Sequence, residues 1–476
     1  MKQQYRNYLL NVGYQLVMYL FPLIISAYVS RVLGAENIGI YSYVNSIVSI
    51  FGMFGLLGIA NYGNREIAKV RDNKKQLSKT FSSIFTLQLI LSGSVFLIYF
   101  MLIFLLPLEN KTIFLVQSLQ LLSVTFDVSW FFFGLEKFKA PLARNFAVKV
   151  ISFLLIVLLV KTPADLIIYT IILSVSAALS QLFLLFLTKR EVDFQFSGIG
   201  HALSHLKQCA VLFIPVLAFS VYRIMDKTML GAMGPKNQLG FYENAERIIN
   251  IPIMIIGALG TVMMPHIAHT AQSAQDLSPD YKRILRFSMR LSCSIASFAA
   301  LGLVVVGTDV AVTVFGNEYL SSGLLIAMLS CTILASAWSN VIRTHYFIPF
   351  GIDKPYVRST IVAAIINLLC NAALIPRHGA FGACLGTIAA EYSIVIYQTA
   401  YVKTQLPIKD FLFDLVDSLL KSVFTMTAVF LVGTIIEQTL PKLMVQVCTA
   451  ILLFIVLEKK LILYEFLGIW PKKSVR

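Results

Sequence analysis

Arg223, Asp226 and Lys227 stand at i, i+3 and i+4 of one apolar run, a spacing that puts all three on one side of a helix. One carboxylate neutralises one of the two cations, so that face stays positive. Charge inside or beside a membrane span is expensive and usually functional. Arg31 and Arg247 fall at a similar depth in their own apolar runs, so four cations either line one vestibule or serve as interfacial anchors. Two further carboxylates lie inside apolar runs. Asp127, in LLSVTFDVSWFFFGLEKF, sits about 20 Å along its run at the helical rise of ~1.5 Å per residue. Glu391 is close to the middle of its run. A carboxylate so placed pairs with a cation or takes up a proton, which makes Asp127, Asp226 and Glu391 candidates for ion coupling or gating. Arg343, near the end of another run, is a candidate partner for Asp127, a substrate contact or a snorkelling anchor. Asn367 and Asn371 share a face at i, i+4 and serve either as interhelix glue or as substrate contacts.

Other chemistries lack their residues. No G-x-x-x-x-G-K-[ST] is present to cradle a nucleotide, and no Ser-His-Asp or Cys-His arrangement is placed for nucleophilic catalysis. His201 and His205 are spaced for a metal but offer only two ligands, and the six cysteines form no C-x-x-C pair. No metal and no organic cofactor is expected; a coupling H+ or Na+ is the one small ion the carboxylates suggest.

The elements that position these residues follow from composition. Of 476 residues 58% are hydrophobic and 13% charged, about half the charge of a soluble chain of this length. The class is a polytopic all-α membrane protein. A net charge of +15 is then a basic rim facing anionic lipid, not a nucleic-acid surface. Apolar runs of about 18 to 25 residues number about fourteen, from roughly 9–32 to roughly 443–463. The first is too long for a cleavable signal and reads as an anchor helix. Connections are short, which leaves no room for the soluble domain of a membrane polymerase or glycosyltransferase, and the chain is read as not an enzyme. Alternate connections hold the basic residues, among them Arg65 to Lys79, Lys137 to Lys149, Lys189 and Arg190, Lys282 to Arg290, and Lys459 to Arg476. That side carries about 28 basic residues against about 6, so it is cytoplasmic and, with an even span number, holds both termini.

The chain begins again near its middle. Pro22, Arg31, Leu33-Gly34-Ala35 and Gly39-Ile40-Tyr41 recur in order as Pro215, Arg223, Leu230-Gly231-Ala232 and Gly240-Phe241-Tyr242. The restart follows six spans, so the halves are parallel repeats about an axis along the membrane normal, an arrangement that places a substrate cavity between two bundles. The boundaries read as residues 1–190 for an N-terminal six-helix lobe, 191–405 for a C-terminal one, and 406–476 for two appended helices and a cytoplasmic tail. Pro22, Pro215 and Pro252 invite kinks, and Gly52, Gly55 and Gly58 recur every third residue, which lets a neighbouring backbone approach.

Several longer patterns then resemble a family. Asp127-Val-Ser-Trp130-Phe-Phe-Phe-Gly134-Leu-Glu136 resembles D-x-x-W-F-x-x-G-x-E. Gly240-Phe-Tyr242-Glu-Asn-Ala245-Glu-Arg247, Ile348-Pro349-Phe-Gly351, Asn367-x-x-x-Asn371-x-x-Leu374-Ile-Pro376 and Gly379-Ala-Phe-Gly382-Ala-x-x-Gly386-Thr387-x-x-x-Glu391 match as well. Together they are similar to the Wzx-type polysaccharide flippases of the MOP superfamily, relatives of the lipid II flippases and the MATE exporters. Phe133 departs from the glutamine of many members. The resemblance implies fourteen helices in two six-helix bundles plus two C-terminal ones, in the bacterial cytoplasmic membrane. It also implies a substrate, an oligosaccharide repeat unit (O-antigen or capsule) on undecaprenyl pyrophosphate, moved to the outer leaflet by alternating access through a cationic cavity. The expected partners are that lipid-linked glycan, membrane lipids, and a polysaccharide polymerase with its chain-length machinery. A lipid II-type flippase fits the cations equally, whereas a MATE-like exporter of organic cations calls for an acidic or aromatic lumen.

Overall fold

Gly34 bends the first helix. Helix α1 runs Lys2–Leu56, and within it Gly34 takes φ 79° and ψ 169°, a conformation open to glycine and costly for a residue with a Cβ. The first two apolar runs are therefore joined through a kink and not a loop. The recorded departure from helical geometry lies at Gly34, whereas the sequence places the bend at Pro22. The computed structural model describes residues 2–195, 198–270, 278–436, 438–459 and 461; side chains at 2–20, 214–216, 218–219, 221–222, 261–270 and 280 lie outside that description. The ring of Pro215 and the tail cations Lys472, Lys473 and Arg476 are thus outside the described residues.

Contacts divide the chain into two compact units, Met1–Gly240 and Phe241–Arg476. In the first, α1 is followed by α2 (Ile59–Val70), α3 (Lys74–Leu105), α4 (Lys111–Thr125), α5 (Ser129–Gly134), α6 (Lys139–Leu159), α7 (Leu166–Thr188), α8 (Ile199–Leu203) and α9 (Leu206–Met233). Helix α10 (Lys236–Thr270) begins in the first unit and continues into the second. There follow α11 (Pro279–Phe315), α12 (Leu320–Leu329), α13 (Cys331–Ile342), α14 (Asp353–His378), α15 (Ala380–Val402), α16 (Ile408–Thr434) and α17 (Thr439–Leu457). The division falls later than the 190/191 junction of the sequence repeat because α9 packs on α1, where the hydroxyls of Thr228 and Ser46 lie 2.9 Å apart.

All regular structure among the described residues is helical. Ten described helices are long and apolar enough to cross a membrane, or eleven if the bent pair Asn317–Leu329 and Cys331–Phe347 is one span. Large apolar side chains such as Leu97, Leu158, Phe186, Phe413, Phe424 and Leu452 face outward, a surface that suits lipid and not water. Small polar residues are turned inward: Ser30, Thr86, Gln88, Gln117 and Ser422 are fully buried. The hydroxyls of Thr86 and Ser422 bond within their own helix, to the Ser82 and Ser418 carbonyls at 2.7 Å each, which lets helices pack closely.

Two stretches expected as cytoplasmic loops are helix. Residues 59–70 form α2, because Ile59, Tyr62 and Ile67 recur at helical spacing and are buried, while Arg65 and Lys69 stay outside and pair with Glu66 at 3.1 and 2.8 Å. Lys282 to Arg290 occupy the first turns of α11. There Arg286 meets Asp414 of α16 at 2.9 Å, and Lys421 joins Asp417 at 2.7 Å to Glu458 at 3.4 Å. Asp410, Asp414, Asp417 and Lys421 follow one face of α16, so within the second unit the two last helices dock on α11 through charge as well as apolar contact.

Candidate functional site

In the first unit the Asp127–Glu136 motif is a latch. Helix α4 stops at Thr125 and α5 begins at Ser129, so the span is broken between them. Asp127 Oδ1 accepts the Ser129 N–H at 2.9 Å, a turn that aspartate and asparagine form readily. Gln88 of α3 bridges the break: its amide donates to the carbonyls of Val124, Thr125 and Asp127 at 3.1, 3.2 and 3.0 Å, the first of which also accepts the Asp127 N–H at 3.2 Å. The same side chain accepts the indole N–H of Trp130 at 2.9 Å. Trp130 lies flat on Gly63, where an added Cβ would come within 2.5 Å of its ring. Gly134 faces α2, where a Cβ would lie 2.7 Å from Ile67, and Glu136 pairs with Arg71 at 2.5 Å. Trp130, Gly134 and Glu136 thereby tie α5 and its C-terminal turn to α2 or α3.

Asp127 is half-buried, and in its own unit its charge acts on the guanidinium of Arg144, beyond direct contact. The sequence reading placed Arg144 in a loop; the structure buries it at the start of α6, donating to Gln181 at 2.7 Å and to Asn145 at 2.7 Å. Sequence spacing carries no sign of this, since Gln181 is on the next span. His205 likewise has both ring nitrogens engaged, Nδ1 with the Tyr62 hydroxyl at 2.6 Å and Nε2 with Ser83 at 3.0 Å, and so ties the start of α9 to α2 and α3. Burial, with the neighbouring His201 second, holds its pKa below the usual histidine range.

Helix α9 presents Arg223 exposed, Asp226 buried and Lys227 half-buried, and Arg31 is exposed on α1. None of the four is without a partner.

In the second unit the polar residues form a strip on α10, α14 and α15. Asn371 donates to Asn367 at 3.1 Å, and both are fully buried. Gly386 leaves room for that amide, since a Cβ there would meet Asn371 Oδ1 at 2.2 Å. The adjacent Thr387 bonds the Tyr242 hydroxyl at 3.0 Å, and Glu391, one turn further along α15, accepts from Ser336 of α13 at 3.3 Å. Tyr242 and Thr387 belong to this strip although the sequence reading did not count them among its site residues. Arg247 pairs with Glu243 at 3.2 Å, so its charge is partly met on its own helix. Arg343 donates to Asn340 at 2.8 Å and lies over the Tyr356 ring at 5.8 Å. It opens a π-helical turn, Arg343–Phe347, in which His345 is buried between Thr344 at 2.7 Å and Ser288 of α11 at 3.1 Å. Wider turns of this kind recur at functional sites, and no residue pattern announced this one.

A chain whose described structure is helical, with apolar side chains facing outward and about ten membrane-length apolar helices, is a multi-pass membrane protein. Its fold is similar to that of two solved structures. The chain covers 100% of "Lipid II flippase MurJ, inward closed conformation" with 95% of its own length, at a TM-score of 0.78 and 14% identity. It covers 94% of an inward-facing MATE multidrug resistance transporter of the MOP superfamily with 82% of its own length, at a TM-score of 0.58 and 15% identity. Residues 5–271 match the polysaccharide biosynthesis protein family, and the chain belongs to that family. In sequence it is 24% identical over 404 residues to a putative O-antigen transporter of Shigella dysenteriae, covering 81% of this chain and 96% of the relative. A putative O-antigen transporter of Escherichia coli K12 is 21% identical over 391 residues, covering 81% and 93%.

Proposed function

We propose that the chain is a flippase that carries a lipid-linked oligosaccharide repeat unit, on undecaprenyl pyrophosphate, across a bacterial cytoplasmic membrane by alternating access. The observation that carries this is the charged face of α9: Asp226 is 4% exposed, between Arg223 and Lys227, inside a protein whose surface faces lipid. Charge is kept there at a cost, and a net positive face repays it by holding the anionic head group while the lipid tail stays in the bilayer. The family and the O-antigen transporter names of the relatives agree with a glycan carrier. In this proposal the chain has fourteen spans in two six-helix lobes (1–190 and 191–405) with two appended helices, both termini in the cytoplasm, and no catalytic step of its own. Arg31, Arg223, Lys227, Arg247, Arg343, Asn367 and Asn371 contact substrate. Moving the anionic head group outward across an inside-negative potential releases about 2.3 kcal/mol per charge per 100 mV. Export is then electrically downhill, and a coupling H+ or Na+ at Asp127, Asp226 or Glu391 serves to reset the empty carrier.

The test is complementation. In a strain deleted for its own repeat-unit flippase, the wild-type chain restores surface glycan, and Arg223→Ala with Lys227→Ala lowers it while membrane insertion is unchanged. Wild-type surface glycan from the double variant removes the role of α9. Rescue only of a strain depleted of its lipid II flippase moves the substrate to that carrier.

A further inference from the structure

The connections poor in lysine and arginine converge at one end of the first unit. There the second half of α1, the α3–α4 connection and the α9–α10 turn enclose a cavity of about 290 Å3. Tyr43, Phe114 and Pro107 give it apolar and aromatic walls; Glu109, Asn110 and Lys236 supply its polar groups. Glu109 and Lys236 face the same space and feel each other's charge, yet form no ion pair, and among the described residues Glu109 makes no hydrogen bond. Lys236 lies 4.1 Å over the Tyr43 ring and spends one N–H on the Gly231 carbonyl, which leaves two donors for the cavity. Burial lowers its pKa, and the Glu109 charge opposes that shift.

The walls are held in place before anything enters. A Cβ at Gly39 would come within 1.7 Å of the Lys236 carbonyl, and one at Gly240 within 2.0 Å of the Ala35 carbonyl. The two repeat-related glycines therefore let the α9–α10 turn lie directly on α1, which fixes Lys236 against Tyr43. A donor held in place opposite an exposed acceptor, Glu109, lowers the ordering cost of a ligand that bridges them.

The pair selects the ligand's charge. An anion meets Glu109 and a cation meets Lys236, whereas a vicinal diol accepts from the ammonium and donates to the carboxylate. The aromatic walls suit the C–H face of a ring. The volume lies just under the roughly 300–1,000 Å3 of drug-sized pockets, so it takes one ring and not an oligosaccharide.

We propose that this cavity is a subsite, on the side where the glycan is released, for a single neutral pyranose residue of the transported glycan; its place in transport rests on the flippase reading above. The test is saturation-transfer NMR on the full chain in a detergent without a sugar head group, with methyl β-glucopyranoside, methyl β-galactopyranoside and N-acetylglucosamine as probes. Transfer to at least one of them is expected, with at least a five-fold loss in Glu109→Gln with Lys236→Met. Ala232→Trp, which fills the cavity from the turn, gives the same loss by a second route if the double variant is poorly folded. No transfer to any sugar, or equal transfer in wild type and in every folded variant, overturns the subsite. Transfer to O-phosphoethanolamine alone also overturns it, in favour of a zwitterionic lipid head group. Because binding is read apart from complementation, loss of the sugar signal with rescue intact removes the subsite and leaves the flippase. Sugar binding without rescue keeps the subsite and removes the transport reading.

Discussion

Trp130 donates its indole N–H to Gln88 at 2.9 Å, and the amide of Gln88 in turn donates to three carbonyls where α4 ends. The bond joins a residue of the sequence motif to one that no motif contains. It also explains how a broken span persists in lipid, where no water meets a free carbonyl. Gln88→Leu strands the Thr125 and Asp127 carbonyls and the indole. The expected loss is roughly 2–4 kcal/mol, seen as a lower melting temperature of the purified protein. Gln88→Glu keeps the acceptor for Trp130 but loses the donors, and should melt early as well.

Asp127 separates a turn from a charge. Asparagine makes the same bond to the Ser129 N–H, so Asp127→Asn should melt like wild type. What it removes is the negative charge that acts on Arg144. If that charge couples or gates transport, surface glycan export falls at least about tenfold, equivalent to ~1.4 kcal/mol. Full export by the asparagine variant would leave Asp127 as a turn former only.

Gly39 tests the close approach of the α9–α10 turn to α1. Its Cβ would need the space of the Lys236 carbonyl, so Gly39→Ala should cost about 1–3 kcal/mol by overpacking and lower both melting temperature and export. Gly93 has nothing within 4 Å of its added Cβ, and Gly93→Ala serves as the control that keeps both.

His205 predicts a pH dependence. Its folded pKa is depressed by burial and by His201, so the unfolded chain takes up the proton first. The stability it contributes is present above the unfolded value of about 6.5 and is lost as pH falls through the folded value. Melting temperature should drop more steeply below pH 6.5 in wild type than in His205→Gln, which has no proton to gain. Parallel curves would show that the Tyr62–His205–Ser83 tie is not the group that titrates.

Much of the fold was legible because membrane spans leave a one-dimensional record. A run such as 166–188 must be apolar along its whole length, so its helix is visible without any knowledge of its neighbours. The recurrence of Leu-Gly-Ala and Gly-x-Tyr was legible too, and the structure gives part of it a meaning, since Gly39 and Gly240 both serve the seam between α1 and the α9–α10 turn. Basic residues misled at the span ends. Arg65, Lys69, Arg144 and Arg286 look like loop charge in a sequence, yet they lie on α2, α6 and α11, because a helix continues past the lipid boundary whenever its apolar face finds a partner.

What the sequence determined on its own is what each span had to be: apolar for about 20 residues, with charge and amide side chains at stated positions and helical phase. What only the tertiary structure decided is who meets whom. Arg144 with Gln181, Gln88 with Trp130, and Tyr242 with Thr387 are pairs from different helices. Helical periodicity places a side chain on a face but does not say which neighbour covers that face. That choice is made by packing, where a missing Cβ at Gly63 or Gly386 admits an indole or an amide that a larger residue would exclude.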